Sequence, residues 1–174
     1  TAHWGPWQDA IGLDPAEHAT LAHAVHLLTE RLHRFGTGSE RFGLIHADLR
    51  LANLLDNDGD LTVIDFDDCG FGWFLFDLAA ALSFIEEEPC VPALIAAWLA
   101  GYRDVAPLSS EDKAVVSAMI LLRRVQLTAW LASHRDADTA CRIGRTHTAG
   151  TVRLAERFIR SGLVELLGRP CRTR

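Results

Sequence analysis

Apolar residues recur at helical spacing over most of this chain and cluster briefly in two short stretches, which predicts a mostly helical protein with a small β component. Asp14, Pro15 and Glu17 combine an N-cap, a first-turn proline and the acid of a capping box. A helix should follow, with Leu21, Val25, Leu28, Leu32 and Phe35 on one face and Gly36 and Gly38 at its end. His26 and His33 fall opposite that face and are expected in solvent. The glycines of GTGSERFG precede an apolar strand instead of opening a helix, so this segment reads as a connector. Leu44 and Ile45 predict a short strand, and residues 54–56 and 61–64 flank Asn57, Asp58, Gly59 and Asp60 as a hairpin would.

From Asp77 onward the pattern turns helical. Leu78, Ala81, Leu82 and Ile85 make one stripe, Pro92 opens a second helix to residue 102, and Ser109 with Asp112 forms a capping box for a third over 110–134. That third helix is apolar on most sides, from Val115 to Leu131, which predicts the central buried helix. A last helix over 148–160 presents Val152, Ala155, Phe158 and Ile159 and is stopped by Ser161 and Gly162, with a frayed tail over 164–174.

Composition narrows the class. With 174 residues, 49% apolar and 23% charged, the chain suits one compact domain. No uninterrupted apolar run approaches the roughly 20 residues of a membrane helix, and the opening TAHWGPWQDA lacks the parts of a signal peptide. Cys69, Cys90, Cys141 and Cys171 are far apart and without CxxC spacing, which fits reduced thiols in the cytoplasm better than a disulfide framework or a zinc site. A formal charge of −6 argues against a nucleic-acid partner and suits a cationic small substrate.

Chemistry is concentrated between residues 44 and 81. Phosphoryl transfer needs an acceptor oxygen in line with a phosphate and cations bridging the phosphate oxygens. Asp48 would accept the proton of a substrate hydroxyl. Asn53, five residues on, and Asp65, at the end of the second hairpin strand, would supply the hard oxygen ligands that Mg²⁺ prefers. Asp67 and Asp68 extend the acidic patch, where Asp67 as a further metal ligand would share a second magnesium or one of the two would face a cationic substrate, with a solvated loop as the alternative for Asp68. Arg50 would neutralise charge developing on the transferred group, with an ordinary surface arginine as the alternative. His46 would brace the loop, and Asp77 would either cap the next helix or reach back to hold the catalytic loop. Glu86, Glu87 and Glu88 at a predicted helix C-terminus oppose the macrodipole, either as a solvated end or as a hint of a cation partner. HxD alone is weak evidence. HxDxxxxN followed twelve residues later by an acid ending an apolar strand, with a hairpin between, is strong.

At HADLRLAN, IDFDD and FDLAAAL the sequence resembles the aminoglycoside phosphotransferase and choline kinase-like phosphotransferase family. Ala47, where protein kinases carry arginine, favours its small-molecule branch. The resemblance implies an α+β, predominantly helical, protein-kinase-like C-terminal lobe with a short catalytic-loop β-hairpin. It implies residues 44–81 as catalytic loop and metal segment and 82–163 as a helical substrate subdomain. It further implies ATP as donor, Mg²⁺ as cofactor, a small-molecule hydroxyl as acceptor, and Asp48, Asn53 and Asp65 as base and metal ligands.

No glycine-rich phosphate loop and no lysine with a paired helix glutamate precede residue 44. The expectation is therefore a piece lacking the N-terminal nucleotide lobe, cut near a hinge around Trp4 and Trp7. Such a piece should bind ATP weakly, be inactive alone and self-associate through the surface left uncovered. Three other readings stay open: a non-catalytic kinase-like binding module, a protein Ser/Thr kinase, and a metal-dependent phosphohydrolase using His46 and Asp48 as ligands.

Overall fold

The computed structural model describes residues 4–161, so the expected tail, Gly162 and Cys171 lie outside the described residues. The elements are α1 (Pro15–Phe35), β1 (Phe42–Ile45), β2 (Leu54–Asn57), β3 (Asp60–Val63), β4 (Gly70–Trp73), α2 (Phe76–Ala81), α3 (Val91–Val105), α4 (Ser110–Ser133) and α5 (Asp138–Ser161). The fold is α+β and predominantly helical, as expected. The chain divides into two compact units, one of Phe35–Ile120 and one of Thr1–Arg34 with Leu121–Arg174.

Both expected capping boxes form. Asp14 Oδ1 accepts from the amide of Glu17 at 2.8 Å while Glu17 Oε2 accepts from the amide of Asp14 at 3.0 Å. Ser109 and Asp112 exchange the same pair of bonds at the start of α4. These contacts span three residues and need no tertiary partner.

In the Phe35–Ile120 unit the hairpin pairs in register from Leu54 opposite Val63 to Asn57 opposite Asp60. The short strand expected at residues 44–45 begins earlier, at Phe42, and its partner is β4, with Phe42 opposite Trp73 and Ile45 opposite Gly70. Pattern reading misses β4 because Gly70 and Gly72 have low strand propensity. The close approach explains the glycine at 43: a Cβ there would stand 2.8 Å from the Phe74 ring. Phe42 and Trp73 close the pair edge to face at 5.6 Å, and Trp73 Nε1 donates to the Gly36 carbonyl at 2.7 Å. Arg41 joins the end of α1 to the start of α4, donating through Nη1 to the Phe35 carbonyl at 2.7 Å and to Glu111 at 3.1 Å.

Helix α2 is shorter than its apolar stripe predicts. It ends at Ala81, where Ser83 Oγ turns back to the Ala80 carbonyl at 2.7 Å, and Phe84 adopts φ 70°, which no helix accommodates. Glu86, Glu87 and Glu88 therefore follow a series of turns and do not stand at a helix C-terminus, which corrects the macrodipole argument. Glu87 and Glu88 are exposed, but Glu86 is only 4% exposed and is no solvated end.

In the other unit, Leu21, Ala24, Leu28 and Leu32 of α1 are buried, and His26 and His33 are exposed as expected. Helix α5 starts ten residues before its predicted start. Gly144 lies in the added stretch, where a Cβ would stand 2.6 Å from Ile11 Cδ1. The segment before α1 is fastened to the helices, with the Trp7 ring 5.1 Å from His18, the Trp4 carbonyl accepting from Ser133 Oγ at 3.4 Å and the Asp9 carbonyl accepting from Arg135 Nη2 at 2.6 Å.

Arg123, Arg124, Thr128, His147, Thr148 and Thr151 are buried among the apolar residues of α4 and α5. Arg124 donates through Nε to Thr151 Oγ1 at 3.1 Å and through Nη2 to the His147 carbonyl at 3.2 Å, and the Thr128 and Thr151 hydroxyls meet at 2.9 Å. Burial drives the His147 pKa from 6.5 down to about 3, and the Arg124 charge adds to the shift. Helix α4 reaches the length and mean hydropathy of a membrane-spanning helix, although 72% of that window is buried inside the protein.

Candidate active site

The catalytic-type residues all lie in the Phe35–Ile120 unit, on the loop after β1 and at the ends of the β2–β3 hairpin. Backbone atoms do much of the positioning. The Ile64 peptide is held from both sides, its N–H donating to the Asn53 carbonyl at 3.0 Å and its carbonyl contacted by His46 Nε2 at 2.9 Å. This fixes the chain immediately before Asp65 against the loop that carries Asp48 and Asn53.

His46 is buried and both ring nitrogens are engaged. The Asp48 amide donates to Nδ1 at 3.3 Å, so the ring proton belongs on Nε2, which donates to Ile64. Neither nitrogen is left for a metal, which removes the basis of the phosphohydrolase reading. The Phe66 ring lies 4.7 Å from the imidazole, a contact for which the sequence pattern gave no signal.

Asp77 is not the helix cap, a position held by Leu75. Its carboxylate instead accepts from the His46 amide at 3.0 Å and the Ala47 amide at 2.8 Å, 31 and 30 residues back. These bonds hold Ala47 at φ 66°, a left-handed conformation uncommon for a residue with a Cβ. Asp65 at φ 65° is also left-handed. Two such residues flanking one site fit the tendency of local strain to gather where function is.

Asp48 is nearly buried and its Oδ2 accepts twice, from Asn53 Nδ2 at 3.0 Å and from Arg50 Nε at 3.1 Å. Asn53 Nδ2 also donates to the Asp48 carbonyl at 2.9 Å. The structure thus pairs Arg50 with Asp48, an arrangement the sequence reading did not consider.

Two observations bear on a magnesium ion. With the amide nitrogen of Asn53 committed to Asp48, the atom it offers a cation is its carbonyl oxygen. The Ile64 bridge keeps the carboxylate of Asp65 on a neighbouring stretch of chain. Among the described residues no three His, Cys, Asp or Glu gather as a metal cluster. Mg²⁺ does not require one, since it is held by one or two protein oxygens together with phosphates and water. The donor set fits. Asp67 and Asp68 sit in an exposed turn closed by the Cys69 amide on the Phe66 carbonyl at 3.0 Å, and no described hydrogen bond ties Asp67 to Asn53 or Asp65.

An acid and an amide on one loop, a second acid on a left-handed residue after a hairpin, and a distant aspartate anchoring the loop form the candidate site of a kinase-like fold. The sequence profile of the Phosphotransferase enzyme family matches residues 4–108, and the chain belongs to that family. Over 78 residues it is 32% identical to an amicoumacin kinase of Bacillus subtilis (strain 168), covering 45% of this chain and 23% of that protein. Over 150 residues it is 30% identical to a homoserine kinase of Gluconobacter oxydans (strain 621H), covering 78% and 47%. Among solved structures, a microcompartment-associated aminopropanol kinase is 44% identical with a TM-score of 0.87, over 94% of this chain and 51% of that one. An amicoumacin kinase complexed with AMP-PNP, Ca²⁺ and Ami shares the fold at 23% identity and a TM-score of 0.63, over 83% and 45%. The chain spans about half or less of the length of these relatives.

Proposed function

We propose that this chain is the acceptor- and metal-binding part of a cytoplasmic, ATP- and Mg²⁺-dependent kinase that phosphorylates the hydroxyl of a small amine-bearing molecule. The observation that carries this reading is the Ile64 bridge, which couples Asp48 and Asn53 to Asp65. Asp48 takes the proton as the acceptor oxygen attacks the γ-phosphorus and ADP leaves. Asn53 and Asp65 hold Mg²⁺, with Asp67 as an outer candidate ligand. When bound, the ion neutralises phosphate charge. Arg50 orients Asp48, and His46 and Asp77 support the loop.

Charge supports the amine. Residues 35–120 carry four Lys or Arg against fifteen Asp or Glu, a formal −11, and no Lys or Arg lies between Arg50 and Arg103. Such a field attracts an ammonium group and repels an anionic acceptor. Relatives named for aminopropanol and homoserine act on molecules of this kind.

The same unit exposes Leu44, Leu51, Leu55, Leu61, Phe66 and Phe71, the last to 81%. We propose that a protein of the relatives' length covers this surface, and that residues 1–174 alone bind nucleotide weakly, do not turn over and self-associate through it. The deciding experiment is an acceptor screen with Mg–ATP on protein of that length, with Asp48→Asn as control. Transfer to an amino alcohol, reduced about 10²–10⁴-fold in the variant, is expected. Undiminished turnover in the variant removes Asp48 as base, and preference for a neutral or anionic alcohol removes the amine.

A further inference from the structure

Arginine lines one face of α5. Arg142, Arg145, Arg153, Arg157 and Arg160 are all exposed. At about 100° per residue, Arg142, Arg153 and Arg160 fall within about 20° of one another, with Arg145 and Arg157 about 60° to either side. The row runs about 27 Å at 1.5 Å per residue. One acid stands within it, Glu156, 4.0 Å from Arg160. The opposite face, with Leu154, Ala155 and Phe158, is buried. Arg142 with Arg145, and Arg157 with Arg160, stand three residues apart, where like charges repel and weaken a helix. An anionic surface laid along the row would relieve that repulsion.

This chain carries such a surface. The residues of the helical unit, 1–34 and 121–174, hold thirteen Lys or Arg against eight Asp or Glu, a formal +5, opposite in sign to the −11 of Phe35–Ile120. Apart from Asp65, Asp67 and Asp68 of the candidate site, the densest exposed acid of the negative unit is the tip of the β2–β3 hairpin, where Asp56, Asp58 and Asp60 fall within five residues and all face solvent. We propose that the arginine face of α5 docks the acidic β2–β3 hairpin of a second copy of this chain. Two different patches meet, so the contact closes as a reciprocal pair about a two-fold axis or propagates from copy to copy. It is also electrostatic, which separates it from association through exposed apolar side chains. Salt dissolves the first and does not dissolve the second.

Sedimentation velocity of the 174-residue chain at about 0.01 M and about 1 M salt, where the screening length falls from about 30 to about 3 Å, tests this. Association at low salt that weakens at least about tenfold at high salt is expected for a contact between several charge pairs. A triple variant Arg142→Glu, Arg153→Glu, Arg160→Glu and a triple variant Asp56→Lys, Asp58→Lys, Asp60→Lys should each lose this association. An equimolar mixture of the two should regain it, because each supplies the charge the other has reversed. Glutamine and asparagine versions, which only remove charge, replace any reversed variant whose circular dichroism shows that it has not folded, and they must also lose association. The proposal is overturned if no salt-sensitive association appears in the wild-type chain at low salt, or if that salt-sensitive component survives in either variant; association that persists or grows at high salt belongs to the exposed apolar side chains and is subtracted first. A wild-type chain that stays monomeric while binding anionic vesicles or duplex DNA would give the arginine face to a polyanion instead.

Discussion

The two units differ in how far they enclose their polar residues. In Phe35–Ile120 the candidate side chains are fixed through backbone, His46 by Ile64, the loop amides by Asp77 and Asn53 by the Asp48 carbonyl, and His46, Asp48 and Asn53 are buried. In the helical unit Arg124, Thr128, His147 and Thr151 also bind backbone, Arg124 and Thr151 both donating to the His147 carbonyl, and all four are buried. The first arrangement leaves Asp65 and part of Arg50 reachable from solvent. The second joins α4 to α5 and encloses every member, including a histidine whose pKa burial lowers. A site that meets a substrate must be both fixed and accessible, and only the first unit leaves one edge of its polar cluster open.

The largest expected effect tests the anchoring. Asp77→Ala removes a charged acceptor from two amides and should cost about 3–6 kcal/mol in urea unfolding, since bonds to charged groups are worth about 1.5–3 kcal/mol each. Hydrogen exchange should speed up at His46 and Ala47 while α5 amides keep their protection. A loss under about 0.5 kcal/mol would show that the carboxylate does not hold the loop.

A smaller effect tests the sealed network. The folded His147 resists protonation down to about 3 whereas the unfolded chain takes the proton at 6.5, so the unfolded state binds more protons between these values. The associated stability is intact above pH 6.5 and is lost as pH falls below it, by up to about 1.4 kcal/mol per pH unit. Thermal melts of wild type and His147→Gln across this window should diverge, the variant being flatter. Parallel curves would mean that His147 does not titrate as its burial requires.

The smallest effect probes backbone strain. A left-handed residue with a Cβ costs about 1–2 kcal/mol, and glycine costs about 0.5–1 kcal/mol in lost chain entropy, so Ala47→Gly should stabilise by about 0.5 kcal/mol. A lowered melting midpoint would show that the Cβ of Ala47 makes contacts worth more than the strain.

Much of this molecule was legible before its structure. The capping boxes at Asp14 and Ser109, the apolar face of α1 and the span of α4 follow from contacts within four residues, which sequence spacing records directly. The HADLRLAN and IDFDD segments likewise pointed to the family whose profile matches residues 4–108. The missed features are nonlocal. Two glycines hid β4 because its pairing depends on β1, 28 residues away at its start. The first ten residues of α5 were missed as well, and there Gly144 packs against Ile11, a residue far away in the sequence.

The sequence by itself determined that helices and a hairpin form, where most of them lie, and which residues are candidates for the site, because periodicity, capping and motif spacing act over short stretches of chain. Only the tertiary structure decided that Asp77 anchors the catalytic loop, that Arg50 pairs with Asp48, that Glu86 is buried and that His147 is held neutral. Each of these depends on which groups meet after the chain has folded, and burial and hydrogen-bond partnership, unlike helix period, are properties of that meeting.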